Sequence, residues 1–551
     1  MKVVAYNIKP EEKEILVLAN KKVHDLTLIS NGLDGSTVHY AIGKRAVIVS
    51  EEDILDKNIL FELKNLGVEY LITRSIGVQH IDATEAGLLN IRIANTPYEN
   101  QSIEGVAKQT IRNLNFWENG KCIGRACCCT RDCTAKDDQI KHQNRKKYTM
   151  ENLISKYNVA APRYTSYPTV PFWENEVFGA EKWRQQVRKT HFESKSAGVS
   201  LYIHLPFCED LCTYCGCNTR ITKNHKVEEP YVTSLLKEWK MYIHMMGDTP
   251  IQICEIHLGG GTPTFFQPEN LQRLINGLLE GNEQTADASF SFEAHPANTT
   301  FEHLETLYNL GFRRLSLGIQ DFDPEVQFVI NRKQRVEDVE RVMQDARHIG
   351  YTSINFDLIY GLPLQTAARI KETLTKALTM EPDRISFYSY AHVPWVRPGQ
   401  RRFTEMDLPQ GQEKLHLYQL GKQAIRKAGY EDVGMDHFAK PEDELFRASK
   451  AGRLHRNFMG YADRYTPLMI GLGVSSISDA WSAFAQNAKT VEEYHRLLDA
   501  DILPVVKGHL LDDDDLQLRR YILDVMCRGK AVLIPEAKLS KRIKQRLAQM
   551  I

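Results

Sequence analysis

A chain of 551 residues is roughly three to four times the ~150-residue domain length, so more than one folding unit is expected, each able to bury a core. Charged residues at 25% and hydrophobic residues at 42% exclude a disordered chain, and 70 Lys+Arg against 70 Asp+Glu give a formal net charge of +0, with no global pull toward nucleic acid or anionic lipid. No apolar run approaches the ~20 residues that span a bilayer, and the opening MKVVAYNIKPEEKEILV turns acidic too early for a signal peptide. A cytoplasmic chain without nucleic-acid or membrane partners is therefore expected. In that compartment its 11 cysteines point to metal ligands or reactive thiols rather than disulfides.

Residues 1–120 alternate short β-branched runs (KVVAYNI, DLTLIS, AVIVS, VEYLITR, IRIANTP) with helical patterns such as PEEKEILVLANKK and EEDILDKNILFELKNLG. This predicts an open parallel α/β module of flavodoxin-like type. Residues 121–148 read as a Cys-rich basic linker: Cys122, Cys127, Cys128, Cys129 and Cys133 lie among eight Lys/Arg and three Asp. Such a cluster suits an auxiliary iron-sulfur centre, a transition metal, or a reactive but unligated tail. From 149 to 410 the alternation becomes more regular: SLYIHLPF, QICEIHLGG, SFSFEAHP, RRLSLGIQ, SINFDLIYGLP and RISFYSYAH. Between these runs, NLQRLINGLLEG, TFEHLETLYNLG and VEDVERVMQDARHIG each close on a Gly suited to a helix C-cap. Six β/α units predict a partial (β/α)6 barrel with its chemistry at the C-terminal strand ends. From 411 to 551 the pattern turns helical.

The densest chemical signal is Cys208-Glu-Asp-Leu-Cys212-Thr-Tyr-Cys215-Gly-Cys217, directly after the first barrel strand. Cysteines at C-x3-C-x2-C on one loop can each hold a different iron of a [4Fe-4S] cluster and leave the fourth iron open to a small molecule. The competing reading is a zinc site using all four cysteines, against which the paired C-x2-C knuckles usual for zinc are missing. After the second strand, Gly259-Gly260-Gly261-Thr262 either lets backbone approach a ligand closely or makes a plain strand-to-helix turn.

C-x3-C-x2-C on such a barrel resembles the radical S-adenosylmethionine (SAM) enzymes. Residues 150–525 further resemble the oxygen-independent coproporphyrinogen III oxidase (coproporphyrinogen dehydrogenase) family through KYNVAAPRYTSYPT, LYIHLPFCEDLCTYCGCN, GGGTPT, LGIQDF, NFDLIYGLP, YAHVP, GMDHFAKPEDEL and LHRNF. The resemblance implies Cys208, Cys212 and Cys215 as ligands of a [4Fe-4S] cluster, with Cys217 diagnostic of the family but not a ligand. It implies two SAM molecules: Tyr202, Gly260, Glu293 and Ile477 at the first, cluster-bound one, and Gly261, Thr262, Tyr214, Gln320, Arg332, Asp357 and Ala391 at the second. In this family a 5′-deoxyadenosyl radical takes a hydrogen from the β-carbon of a propionate, and loss of an electron and of carbon dioxide leaves a vinyl group. Two propionates of coproporphyrinogen III are processed, giving protoporphyrinogen IX in anaerobic haem biosynthesis. A one-electron donor is implied as partner, and a monomer is expected. The alternative is a non-catalytic haem-binding chaperone on the same barrel; those relatives usually carry an aromatic residue at the place of Cys217 and lack PRYTSYPT.

The residue types suit the chemistry, since carboxylates such as Glu293 and Asp357 accept hydrogen bonds from an amino group or ribose hydroxyls, and Arg332 can pair with a carboxylate. Each also has a structural reading: Glu293 and Asp357 as helix caps, Gln320 satisfying backbone, Tyr202 as core. Placement at strand ends favours ligands. Arg163 in PRYTSYPT is a candidate cation for a tetra-anionic substrate, while His204, His392, His437 and His455 read as hydrogen-bonded structural residues, so no catalytic residue is assigned.

The front module resembles the N-terminal part of D-2-hydroxyacid dehydrogenases through YLITRSIGVQHIDATEAGLLNIRIANTP and SIEGVAKQTIRNLNFWENG. Where that family continues with a G-x-G-x-x-G nucleotide turn, NGKCIGRACCC stands here, so contact of Arg74 with a small carboxylate is the most expected of it. Two further departures concern the barrel: HRNFMGY puts Met459 where the oxidase family has glutamine, and the ending LIPEAKLSKRIKQRLAQMI matches poorly, so a truncated C-terminal helical region is expected.

Overall fold

The computed structural model describes residues 1–97, 100–119, 123, 126–128, 166–173, 178–394, 397–533 and 543. The chain divides into two compact units, Met1–Tyr157 and Asn158–Ile551.

In the first unit, β1 (Lys2–Ala5), β2 (Asp25–Leu28), β3 (Ala46–Val49), β4 (Tyr70–Thr73) and β5 (Arg92–Ala94) form one parallel sheet in the order β2-β1-β3-β4-β5. Successive residues of a strand face opposite sides, and both sides are covered. Val4, Val47 and Leu71 pack with Leu60 and Leu63 in one core, while Val3, Ile48 and Ile72 pack with Ile111, Leu114 and Trp117 in another. Burial on both faces is why the inner strands β3 and β4 read as nearly unbroken apolar runs. Helix Lys57–Asn65 starts where the Asp56 carboxylate accepts from the N–H groups of Asn58 and Ile59, and helix Ile103–Glu118 starts where the Ser102 hydroxyl accepts from Gly105.

Arg74 has partners within the protein. Its Nη1 pairs with Glu12 at 2.6 Å, and its Nη2 donates to the carbonyls of Tyr6 (3.0 Å) and Asn7 (2.9 Å). Its two terminal nitrogens tie the end of β1 to the loop after β4. Two of the clustered cysteines also have a packing role: Cys127 forms an antiparallel bridge with Ala94, the Cys128 N–H donates to Ile93 at 3.0 Å, and each side chain rests on one of the two cores. Cys122, Cys129, Cys133 and Arg163 lie outside the described residues.

The second unit opens with β6 (Val199–Leu205) and a short ribbon of β7 (Phe207–Cys208) and β8 (Arg220–Ile221). There follow β9 (Gln252–Gly260), β10 (Glu283–Ala294), β11 (Phe312–Gln320), β12 (Ser353–Tyr360) and β13 (Arg384–Ser389). β6, β9, β10, β11, β12 and β13 lie side by side, all parallel. Helices Glu228–Met245, Pro268–Leu279, Phe301–Asn309, Val336–Ile349, Ala367–Thr379 and Gly411–Lys427 follow them in turn, which makes the expected six β/α units. Gly350 closes one of these helices in the left-handed region (φ 114), as its place in VEDVERVMQDARHIG predicts. One face of this sheet is apolar: Leu201, Ile203, Ile256, Leu258, Phe292, Leu317 and Phe356 join a single large core with the helices. The alternate positions, among them Tyr202, His257, Ser291, Glu293, Ser316 and Asp357, share the opposite face, which is polar.

Beyond residue 410 the helical expectation is met by Gly411–Lys427, Glu444–Lys450, Val491–Asp499 and Asp513–Arg528. Strands that the sequence pattern did not pick out lie between them: β14 (Glu431–Gly434), β15 (His437–Ala439), β16 (His455–Arg456), β17 (Tyr461–Ala462), β18 (Leu468–Leu472), β19 (Ile477–Asp479), β20 (Ala483–Asn487) and β21 (Val505–Leu510). β18 adds parallel to the free side of β6 and continues antiparallel through β19, β20 and β21, while β15 and β14 add antiparallel beyond β13. The sheet stays open, with β14 and β21 at its edges. Among the described residues no helix is long and apolar enough to cross a membrane.

A buried carboxylate fastens this extension to the barrel. Glu238 accepts from the Gly473 N–H (2.9 Å), Asn487 Nδ2 (2.7 Å) and the Tyr494 hydroxyl (2.6 Å), and burial pushes its carboxyl up to about 7. Glu238→Ala leaves these buried donors unpaired. It is expected to cost about 3 kcal/mol or more, seen as a lower denaturant midpoint at unchanged slope.

Candidate cofactor site

The site is assembled where the parallel strands end. The turn after β9 lies directly against the end of β6: Gly261 N–H donates to Leu205 (2.8 Å) and Thr262 N–H to Phe207 (3.1 Å). A Cβ on Gly261 would stand 2.6 Å from the Pro206 backbone, and one on Gly260 would stand 2.7 Å from the His204 ring at φ +112. These two glycines are therefore required by the protein's own packing. Gly259 faces the Glu293 carboxyl and the Tyr202 ring, each 3.2 Å from an ideal Cβ.

Tyr202 and its neighbours form one connected set. The Tyr202 hydroxyl is 3.0 Å from His204 Nδ1, and His204 Nε2 is 2.9 Å from the Asn218 carbonyl. Because a carbonyl only accepts, Nε2 carries the proton and Nδ1 accepts from the tyrosine, which makes His204 a structural link between β6 and the cysteine loop. Burial lowers its pKa, consistent with that neutral form. Glu293 Oε2 accepts from the Gly260 N–H at 3.3 Å. Ile477 lies in a separate apolar cluster with Trp173, Phe484 and Leu511; Phe458 packs on that cluster and stands edge-on to Tyr202 at 5.0 Å between ring centroids.

The cysteine loop is held from both sides. The Thr213 N–H and hydroxyl donate to Ile330 (2.9 Å) and Val329 (3.1 Å), and the Cys215 N–H donates to Cys212 (3.1 Å), forming a tight turn. Cys208 Sγ lies 3.3 Å from Thr262 Oγ1, and burial pushes its thiol up to about 12. Cys215 is opposite in character: hydrogen bonding from Cys217, whose N–H lies 3.4 Å from Cys215 Sγ, pulls it down to about 7 against its burial, with help from Arg397 and Arg332. Arg332 is buried and reaches Cys212 Sγ (3.7 Å), the Tyr214 hydroxyl (3.2 Å), Gln334 Oε1 (3.2 Å) and the Gly318 carbonyl. Arg397 donates to the Gly216 carbonyl, and Gln400 Nε2 lies 3.2 Å from both the Tyr214 and the Ala391 carbonyls. The Arg397–Gly216 and Gln400–Tyr214 contacts were not legible in the sequence, because they join segments nearly two hundred residues apart.

Cys208, Cys212, Cys215 and Cys217 form no disulfide. Among the described residues no group of three His, Cys, Asp or Glu side chains is placed to hold one metal ion. The loop thus has a donor set and nearby cations that suit a four-iron cluster, which takes one thiolate at each of several separate corners.

Asp357 belongs to a hydrogen-bonded row on the polar face. It accepts from Ser316 Oγ (2.9 Å) and Asn355 Nδ2 (2.9 Å), and Asn355 Oδ1 in turn accepts from Ser386 Oγ (3.1 Å). Gln320 ends β11 at φ +67, with its amide over Gly318. Of the proposed ligands, Tyr202, Gly260 and Glu293 come together, as do Tyr214, Arg332 and Cys212, and Thr262 with Cys208.

Comparison with known proteins places this geometry in context. Residues 202–377 match the family described as the Radical SAM superfamily. An oxygen-independent coproporphyrinogen III oxidase from Synechocystis is 38% identical over 380 residues, 69% of this chain and 80% of that protein. The oxidase of Helicobacter pylori strain J99 is 40% identical over 379 residues, 68% of this chain and 82% of its own. The solved coproporphyrinogen III oxidase of Escherichia coli, described as a radical SAM enzyme, superposes with a TM-score of 0.63 at 37% identity, covering 68% of this chain and 83% of that one.

Burial, and then the charge of Glu293, push the Asp357 carboxyl up to about 6. A carboxyl whose pKa is raised by folding contributes stability that is full below its unfolded pKa and is lost as pH rises through the folded value. Asp357→Asn is therefore expected to gain stability relative to the parent as pH rises from about 4 to about 7, with a ceiling of about 3 kcal/mol, as read by denaturant unfolding. A gap that does not change with pH would contradict the assignment.

Proposed function

Because the chain belongs to the oxygen-independent coproporphyrinogen III oxidase family of radical SAM proteins, we propose that it converts two propionates of coproporphyrinogen III to vinyl groups, giving protoporphyrinogen IX. The observation that carries this reading is the cysteine loop: three cysteines at C-x3-C-x2-C on a strand end, with Arg332 and Arg397 beside them. Each conversion removes from the propionate one hydrogen atom of the β-carbon, one electron and one carbon dioxide. A [4Fe-4S] cluster and SAM, when bound, supply the one-electron, hydrogen-abstracting chemistry that this requires.

In this reading Cys208, Cys212 and Cys215 hold the cluster, and a fourth corner is left to SAM. The two arginines offset the negative charge of the thiolates, and Arg332 also locks Tyr214 and the end of β11 in place. Tyr202, Gly260, Glu293 and Ile477 would hold the first SAM. Here the Glu293 carboxylate is half-exposed and already oriented by Gly260. Gly261, Thr262, Tyr214, Gln320, Arg332, Asp357 and Ala391 would hold a second. The N–H groups of Gly261 and Thr262 are already used by β6 and the loop after it, so these residues would offer a close backbone surface and a hydroxyl rather than N–H donors. Cys217 hydrogen-bonds to Cys215 and thereby tunes a neighbouring thiol without being a ligand itself. That role, with the PRYTSYPT segment and the relatives' oxidase activity, favours the enzyme over a haem-binding protein. A one-electron donor is part of the same proposal.

The test is product analysis by mass, with reduced, cluster-loaded protein, SAM and coproporphyrinogen III under anaerobic conditions. Successive losses corresponding to two propionate-to-vinyl conversions are expected, and unchanged substrate would contradict the reading. Cys212→Ala should abolish reductive cleavage of SAM even before substrate is added; retained cleavage would sink the ligand assignment.

Met459 lies in the turn between β16 and β17, with its N–H donating to Asn457 Oδ1 at 3.0 Å. Its thioether donates no hydrogen bond where the family has an amide. Met459→Gln is expected to raise turnover by about two- to tenfold, the worth of one net hydrogen bond. Unchanged or lower turnover would count against this.

A further inference from the structure

His257 sits on β9, two residues before the glycine turn, and none of the roles above uses it. Its partners follow from register. β9 and β10 pair in parallel with His257 directly opposite Ser291, and Glu293 lies two residues further along the same face. His257 Nδ1 is 2.8 Å from Ser291 Oγ, and His257 Nε2 is 3.6 Å from Glu293 Oε1. The imidazole also lies nearly parallel to the Tyr202 ring, at 16° and 6.0 Å between centroids. Its freedom to turn is therefore limited by a ring on one side and a hydroxyl on its edge.

The tautomer follows from the charges. With the Ser291 hydroxyl donating to Nδ1, the N–H is on Nε2 and points toward the carboxylate. The other tautomer would set an Nε2 lone pair against it. Glu293 is then held from β9 at both oxygens, by the Gly260 N–H on Oε2 and electrostatically by the His257 edge on Oε1. A neutral filler such as Phe would reproduce the contact with Tyr202 but neither polar edge.

We propose that His257 is a positioning residue: with Ser291 it orients the Glu293 carboxylate toward the amino group or ribose hydroxyls of the first SAM. The proposal rests on the reading of Glu293 as a SAM ligand and extends it to a residue pair that does not touch the cofactor.

The test measures SAM dissociation constants by anaerobic calorimetry on the cluster-loaded full chain, with iron content checked for every variant. His257→Phe is expected to weaken SAM binding about tenfold at unchanged iron content, and His257→Gln, whose terminal amide can reach toward Glu293, to recover most of the loss. Glu293→Gln should weaken binding, and His257→Phe should add nothing in that background. Parent-like affinity of His257→Phe alongside a weakened Glu293→Gln would overturn the positioning role alone. So would a His257→Phe loss that persists undiminished in the Glu293→Gln background. Parent-like affinity of Glu293→Gln would sink the ligand reading itself, and the positioning role with it.

Discussion

The ends of β6 and β9 approach each other so closely that only glycine fits at 260 and 261, and the arrangement of the site depends on that contact. It brings Thr262 to Cys208, sets the Gly260 N–H on Glu293, and opens the face of Gly259 to Tyr202 and Glu293. A methyl group at Gly261 would meet backbone rather than a movable side chain, so the clash could be relieved only by parting the two strands. The glycine turn therefore acts first as a structural joint between strands and only then as a surface for a ligand.

The second constraint is the two-faced sheet. Its apolar face packs against helices, so side chains at alternating positions are left to form a polar face. Burying carboxylates on such a face is costly unless donors meet them, and Asp357 is met by Ser316 and Asn355. The antiparallel extensions make the outer parts of the sheet continuous with the barrel, and Glu238 fastens one of them through Gly473, Asn487 and Tyr494. The polar network on one face and the buried clamp on the other thus stabilise different parts of the same fold.

Much of this was legible from sequence because period and composition are local properties. The six β/α units, the cysteine loop, the glycine turn and the helix-closing Gly350 follow from local runs of fewer than twenty residues. The strands after residue 410 were missed because they are short and lack the regular alternation with helices that sets off the equally short strands of the front module. The partners of Arg74 were hidden because nothing near it in sequence reveals that Glu12 and the carbonyls of Tyr6 and Asn7 would meet its terminal nitrogens. The pairing of His257 with Ser291 depends on strand register, which one sequence does not encode visibly, and the Gln400 clamp joins segments that meet only in the folded barrel.

The central claim is that the cysteine loop and this polar face, with their cofactors bound, take hydrogen from the β-carbon of a substrate propionate. Coproporphyrinogen III deuterated at those β-carbons tests it most directly, with the 5′-deoxyadenosine recovered after anaerobic turnover and analysed by mass. The account predicts deuterium in the 5′-deoxyadenosine, one atom for each vinyl group formed. Unlabelled 5′-deoxyadenosine accompanying vinyl formation would contradict it.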